Sequence, residues 1–170
     1  MDPPVFQKYP LSTVLIFQLV SLANYAVGLY LLYQISVLFS ILFAFYVIMM
    51  EFSVYKEGCA SCYYYGKRCM SGRGKIAALF VRKEDPKRFC EKKVTWKNLL
   101  PQVLLSLIPI IAGAYLLITN FNFLFIGLIL VPVLTWFVAN PLMYGKLGCL
   151  HCKQGRICCP ANDFFGKKKN

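Results

Sequence analysis

Charge is absent from more than half of this chain. No Asp, Glu, Lys or Arg occurs from Tyr9 to Met50 or from Asn98 to Gly145, two runs of 42 and 48 residues in a chain of 170. The only histidine, His151, lies outside both runs. Proton- and ion-coupled transporters carry an ionisable residue inside the membrane, and these runs offer none. Cysteine is missing from the same two runs, although the chain has eight. No N-x-[ST] sequon marks a glycosylated outer loop, and no short apolar core with a small-residue cleavage site follows the amino terminus. Gly72-Arg73-Gly74-Lys75 resembles part of a phosphate-binding loop, but Cys69 stands where such a loop needs glycine and Ile76 where it needs Ser or Thr. The stretch therefore reads as a flexible basic turn.

What is present is hydrophobic. Apolar residues make up 58% of the sequence and mean hydropathy is +0.56, values that point to a membrane protein. One bilayer span takes about 20 apolar residues, so each uncharged run has room for two. The expected fold is an all-α integral membrane protein with four transmembrane helices in two hairpins. The first hairpin covers 1–54 and the second 98–144. Between them lies a basic, cysteine-rich loop, 55–97, and after them a basic, cysteine-rich tail, 145–170. The expected helices run from Leu11 to Tyr33, Ile35 to Val54, Leu99 to Thr119 and Asn122 to Met143. Glu51 is expected to mark the exit of the second helix. Gln18, Ser21, Asn24 and Gly28 share a broad face of the first, which suits packing on another helix. Pro109 and Pro132 are expected to bend the third and fourth. Ile76 to Val81 reads as a short strand or helical turn.

The net charge of +12 has the distribution of a membrane protein rather than of a nucleic-acid binder. Twelve of the nineteen basic residues lie between Glu51 and Lys97, six follow Gly145, among them Lys167 to Lys169, and only Lys8 lies elsewhere. Under the positive-inside rule both termini and the central loop are cytoplasmic, in a multi-pass protein of the cell membrane. Basic segments in that position also attract anionic lipid headgroups.

The chemistry lies in the cysteines. Gly58-Cys59-Ala60-Ser61-Cys62 with Cys69, and Gly148-Cys149-Leu150-His151-Cys152 with Cys159, repeat one C-x2-C-x6-C phrase at an offset of 90 residues. Cys90 and Cys158 bring each soluble segment to four, the number a tetrahedral thiolate site takes. Two thiols at C-x2-C bite one metal ion, and small basic segments that cannot bury a core need such a staple. The candidate metal ligands are Cys59, Cys62, Cys69, Cys90, Cys149, Cys152, Cys158 and Cys159, with zinc as the expected ion. His151 is a further candidate ligand or general base, with the lesser role preferred. Two separate sites remain open beside a joint site with three ligands from each phrase and Cys90 and Cys158 as extras. An iron–sulfur cluster uses the same thiolates. Thiol–disulfide exchange is the third reading, disfavoured by the cytoplasmic assignment. The expected role is non-enzymatic: a membrane subunit, anchor or assembly partner for a soluble protein. The alternatives are a membrane redox protein and a soft-metal carrier. The shared offset and the order of hairpin, phrase and basic segment suggest an internal repeat.

Overall fold

A computed structural model describes residues 4–91 and 96–159. Lys92, Lys93 and Lys167 to Lys169 lie outside the described residues. Helix dominates, and the described residues contain no strand, only an isolated parallel bridge between Phe6 and Cys152. The helices are α1 (Leu11–Ile35), α2 (Val37–Ser53), α3 (Arg73–Phe80), α4 (Lys87–Glu91), α5 (Trp96–Thr119), α6 (Phe123–Leu134) and α7 (Lys153–Ile157).

Four helical stretches are long and apolar enough to cross a membrane: Leu11–Ile35, Val37–Cys59, Leu99–Thr119 and Phe123–His151. The protein is a multi-pass membrane protein on this criterion. The second and fourth stretches outrun their sequence expectation. α2 continues as a π-helical segment, Val54–Cys59, and α6 continues through π-helical segments Thr135–Ala139 and Pro141–Gly148. The helix therefore continues past Glu51, whose carboxylate accepts a 2.7 Å hydrogen bond from the Tyr25 hydroxyl. Cys59 and Cys149 lie near the ends of these helical stretches.

The chain divides into two compact units. One contains 19–51 and 95–139; the other contains 1–18, 52–94 and 140–170.

The first unit is a helical bundle. Its buried cluster comprises Leu31, Leu32, Phe43, Ala112, Leu116 and Phe125. Glycine permits the close approach: a methyl group on Gly28 would come within 2.6 Å of the Phe43 ring and 2.9 Å of Pro109, and one on Gly113 would overlap Ile129. This is the small-residue packing that membrane helices use, since lipid gives them no hydrophobic reason to associate. Asn24 lies in the interior, 3.5 Å from the Ser106 hydroxyl, in line with the packing role of its face. Pro109 and Pro132 are both fully buried. Their missing N–H groups leave helix carbonyls without the usual partner, a cost that neighbouring helices offset in a membrane bundle. Just beyond Pro132 the Thr135 hydroxyl donates back to Val131 O at 2.8 Å. At the start of α6 the Asn122 side chain accepts from Leu124 N–H at 3.0 Å, an amino-terminal cap. Large apolar side chains meanwhile point outward, with Ile118 86% and Phe137 75% exposed. Water would make such a surface costly; hydrocarbon makes it the stable one.

The second unit holds every short helix and all eight cysteines. Of Ile76 to Val81, left between strand and helix by the sequence, Ile76 to Phe80 belong to α3 and Val81 is its extended carboxy-terminal cap. Gly72, with φ of 72°, turns the chain into it through the left-handed region open to glycine.

Candidate thiol site

The first phrase follows directly from its π-helical turn. Cys62 N–H donates to Cys59 O at 3.2 Å, and Tyr65 N–H to Cys62 O at 3.0 Å. The second phrase makes the same closure, Cys152 N–H to Cys149 O at 3.3 Å. Two residues between the cysteines thus form one tight turn in both copies, with both thiols on it. Gly66 and Gly72, each with φ of 72°, then fold the chain back, so that Cys69 Sγ accepts the Gly74 N–H at 3.3 Å. A side chain at Gly74 would collide with the carbonyls of Tyr64 and Lys67, so this return path needs glycine.

The two phrases come together. A buried cluster of Tyr9, Val14 and Tyr64 has Cys62, Cys69 and Met70 from the first segment and Cys152 from the second packed on it. Backbone and side chain stitch the contact. Gln154, 3% exposed, accepts the Tyr63 N–H at 2.8 Å and donates to Cys158 O at 2.9 Å. The Tyr64 hydroxyl accepts the Lys153 N–H at 3.0 Å and donates to Phe6 O at 2.6 Å. The Tyr9 hydroxyl donates to Gly148 O at 2.7 Å, while Tyr9 N–H donates to Arg68 O at 3.0 Å. Gly148 itself lies against Met70, closely enough that a methyl group there would overlap its sulfur. Residues 4–9 are thus the third part of the site, a role no sequence motif announced.

Burial governs the thiols. It pushes the Cys62 thiol from the ordinary 9.0 up to about 12; a backbone hydrogen bond from Tyr64 partly offsets this, and Cys152, Cys59 and Cys69 add to it. Burial also raises Cys152, against the backbone N–H groups of Gly155 and Gln154 and with the help of Cys159. Tyr64 rises to about 12 and Tyr9 further still, both chiefly by burial and then by neighbouring cysteines. Cys62 responding to Cys152, and Tyr9 to both Cys152 and Cys149, describes one interacting group of thiols and phenols drawn from both phrases. A buried neutral thiol is a poor nucleophile, because the thiolate is the reactive form.

Two candidate ligands are corrected. Cys90 and Cys158 are joined in a disulfide with Cα atoms 5.2 Å apart, and a disulfide sulfur is not a thiolate ligand. The other six cysteines form no disulfide. Among the described residues, no three Cys, His, Asp or Glu side chains are arranged as a metal-binding group. The structure gathers the six thiols in one unit without setting them at ligating geometry. His151 stacks on Phe6 with centroids 4.7 Å apart, and its Nδ1 lies 2.7 Å from Pro4 O. A carbonyl only accepts, so Nδ1 carries the proton and the ring serves as an anchor for the amino-terminal segment. Ser61, between Cys59 and Cys62, is 1% exposed and its hydroxyl has no hydrogen-bond partner among the described residues.

On the outer side of this cluster Tyr63 carries two cations. The Lys67 ammonium lies 4.3 Å and the Lys153 ammonium 4.8 Å from its ring centroid, and Lys153 and then Lys67 lower its phenol below the usual range.

Fold and site together define an all-helical, multi-pass membrane protein with a cysteine- and tyrosine-rich unit. No family model matches the chain, and neither curated proteins nor solved structures include a significant match.

Proposed function

We propose that the two cysteine phrases form one joint soft-metal module, three thiols from each, carried by a four-span bundle of two helical hairpins. Cys59, Cys62 and Cys69 supply one half of the donor set; Cys149, Cys152 and Cys159 supply the other. Zinc is the ion this donor set fits: it takes four thiolates in a closed tetrahedral site without redox demands, so four of the six bind it directly and the other two lie beside them. The module acts as a structural knuckle by which a membrane subunit or anchor docks a soluble protein on the cytoplasmic face.

The observation that carries the reading is the meeting of Cys62 and Cys152 on the Tyr9–Tyr64 cluster. Residues 90 apart in sequence are brought together with their thiols protonated and desolvated. Such thiols suit a metal, which displaces their protons and supplies the positive charge a buried thiolate needs. They do not suit exchange chemistry, which starts from an accessible thiolate. The unpartnered Ser61 hydroxyl fits the same reading: a metal-bound thiolate is a stronger acceptor than a thiol, and Ser61 lies between two of them in sequence. Binding requires the thiols to close inward on the ion, a local rearrangement of two turns.

A second reading is favoured by one observation, the Cys90–Cys158 disulfide beside the free thiol of Cys159. Lasting disulfides belong to oxidising compartments, so the bond weighs against the cytoplasmic orientation and in favour of a membrane redox protein. Purification under anaerobic conditions in detergent, followed by metal analysis and an absorption spectrum, separates the readings. Stoichiometric zinc in a colourless sample supports the module. Brown protein containing iron and sulfide assigns the thiols to an iron–sulfur cluster, and metal-free protein with exchangeable disulfides to redox chemistry.

A further inference from the structure

Lys67 and Lys153 converge on one aromatic ring from two distant segments, at 4.3 and 4.8 Å from the Tyr63 centroid. Each belongs to a different phrase: Lys67 lies between Cys62 and Cys69, and Lys153 directly follows Cys152. Both side chains are half-buried, and neither meets a carboxylate among the described residues. The ring face attracts each ammonium. The ammoniums nevertheless repel one another, and the described residues supply no anion between them. A fold that gathers positive charge in this way presents a site for an external anion.

The position in the chain indicates which anion. The second candidate span ends at Cys59 and the fourth at His151, so Lys153 follows its span almost immediately and Lys67 lies two helical turns of chain beyond. Lysines next to span ends sit where lipid headgroups are. Two ammonium donors around a phenol hydroxyl match the several acceptor oxygens of a phosphate, with lysine acting as a point charge. We propose that Lys67, Lys153 and the Tyr63 hydroxyl form a phosphate seat, filled by the headgroup of an anionic phospholipid. The seat exists only when the two phrases are docked, so lipid binding reports on their union whether or not the thiols hold an ion.

Native mass spectrometry of the full chain in detergent, titrated with phosphatidylglycerol, tests this. Lys67→Gln and Lys153→Gln should each weaken lipid binding about fivefold, and the double variant about thirtyfold. Lys83→Gln with Lys87→Gln, which removes the same charge from exposed positions, should cost no more than about twofold, as screened surface charges do. Lys67→Arg with Lys153→Arg should restore binding. Circular dichroism and an intact Cys90–Cys158 linkage by mass establish that each variant is folded. Equal loss in the two double variants, or no loss in the first, overturns the seat. Displacement of the lipid by inorganic phosphate at micromolar concentration, dependent on Lys67 and Lys153, overturns the lipid as occupant and assigns the seat to a soluble phosphate.

Discussion

Removal of the Gln154 side chain should loosen the contact between the two phrases. It is 3% exposed, its Oε1 accepts the Tyr63 N–H at 2.8 Å, and its Nε2 donates to Cys158 O at 2.9 Å. Gln154→Ala leaves both backbone groups without their partner. A half-buried group that loses its hydrogen bond costs about 1–3 kcal/mol, and some of that is recovered where water reaches the orphaned atom. Only the Tyr63 bond joins the two phrases, the Cys158 bond lying within α7 and its cap, so the docking of α7 should weaken by about 1–3 kcal/mol, an increase of about 5- to 150-fold in local opening. The assay is alkylation of Cys62 and Cys152 in metal-free protein, followed by mass spectrometry of the labelled peptides. Both thiols are partly buried against the Tyr9–Tyr64 cluster, so opening exposes them further and should accelerate their labelling by at least about 5-fold. Gln154→Glu keeps an acceptor for Tyr63 N–H but loses the donor to Cys158 O, and its effect should be intermediate. If Gln154→Ala labels at the unaltered rate while its helix content is intact, the two phrases do not depend on this bridge and the joint unit is wrong as described.

Four further outcomes are expected. In metal-free protein the Cys62 thiol, raised from 9.0 to about 12, should alkylate about 1000-fold more slowly at pH 8 than an unshifted cysteine. The same shift bears on stability: the folded state holds the proton more tightly, so the contribution is complete below pH 9 and is lost as pH rises toward 12, measured as alkaline unfolding that Cys62→Ser moves upward. Cys90→Ser removes a cross-link between residues 68 apart, and chain entropy alone puts the loss at about 4 kcal/mol, read from thermal unfolding under non-reducing conditions; an unchanged midpoint would mean that the bond is absent in the folded protein. Gly113→Leu should destabilise the bundle by about 1–3 kcal/mol through overlap with Ile129, measured in detergent unfolding, whereas Gly127→Leu, with open space around it, should have little effect.

The spans were legible because lipid imposes a rule that composition alone displays: residues Tyr9 to Met50 and Asn98 to Gly145 carry no charge, and such runs have few other uses. Their ends were not. The continuation of α2 to Cys59 and of the fourth stretch to His151 uses π-helical turns through Lys56, Glu57 and Lys146, where charge signals an exit from the hydrocarbon but does not stop a helix. The cysteine phrases were legible as chelating pairs from spacing alone. The idea of Cys90 and Cys158 as extras came from counting three positions per phrase, and the structure gives those two cysteines to each other. The scaffold of the site was hidden for a general reason. Phe6, Tyr9, Tyr64 and Gln154 act mostly through backbone partners such as His151 O, Arg68 O, Gly148 O and Tyr63 N–H, and any residue supplies those atoms. Such pairings leave no mark on sequence. The Tyr63-Tyr64-Tyr65 run, unusual in a basic loop, was the one visible sign that this segment had something to pack against.

The central claim is that both phrases serve one metal site, and a single experiment addresses it. Zinc content and peptide-resolved thiol labelling are measured together on anaerobically purified Cys62→Ser. A joint site predicts that the variant loses its metal and that Cys149 and Cys152, 90 residues away from the altered pair, become open to labelling along with Cys59. Retention of metal and protection at Cys149 and Cys152, with Cys59 alone exposed, would contradict it and leave two independent knuckles.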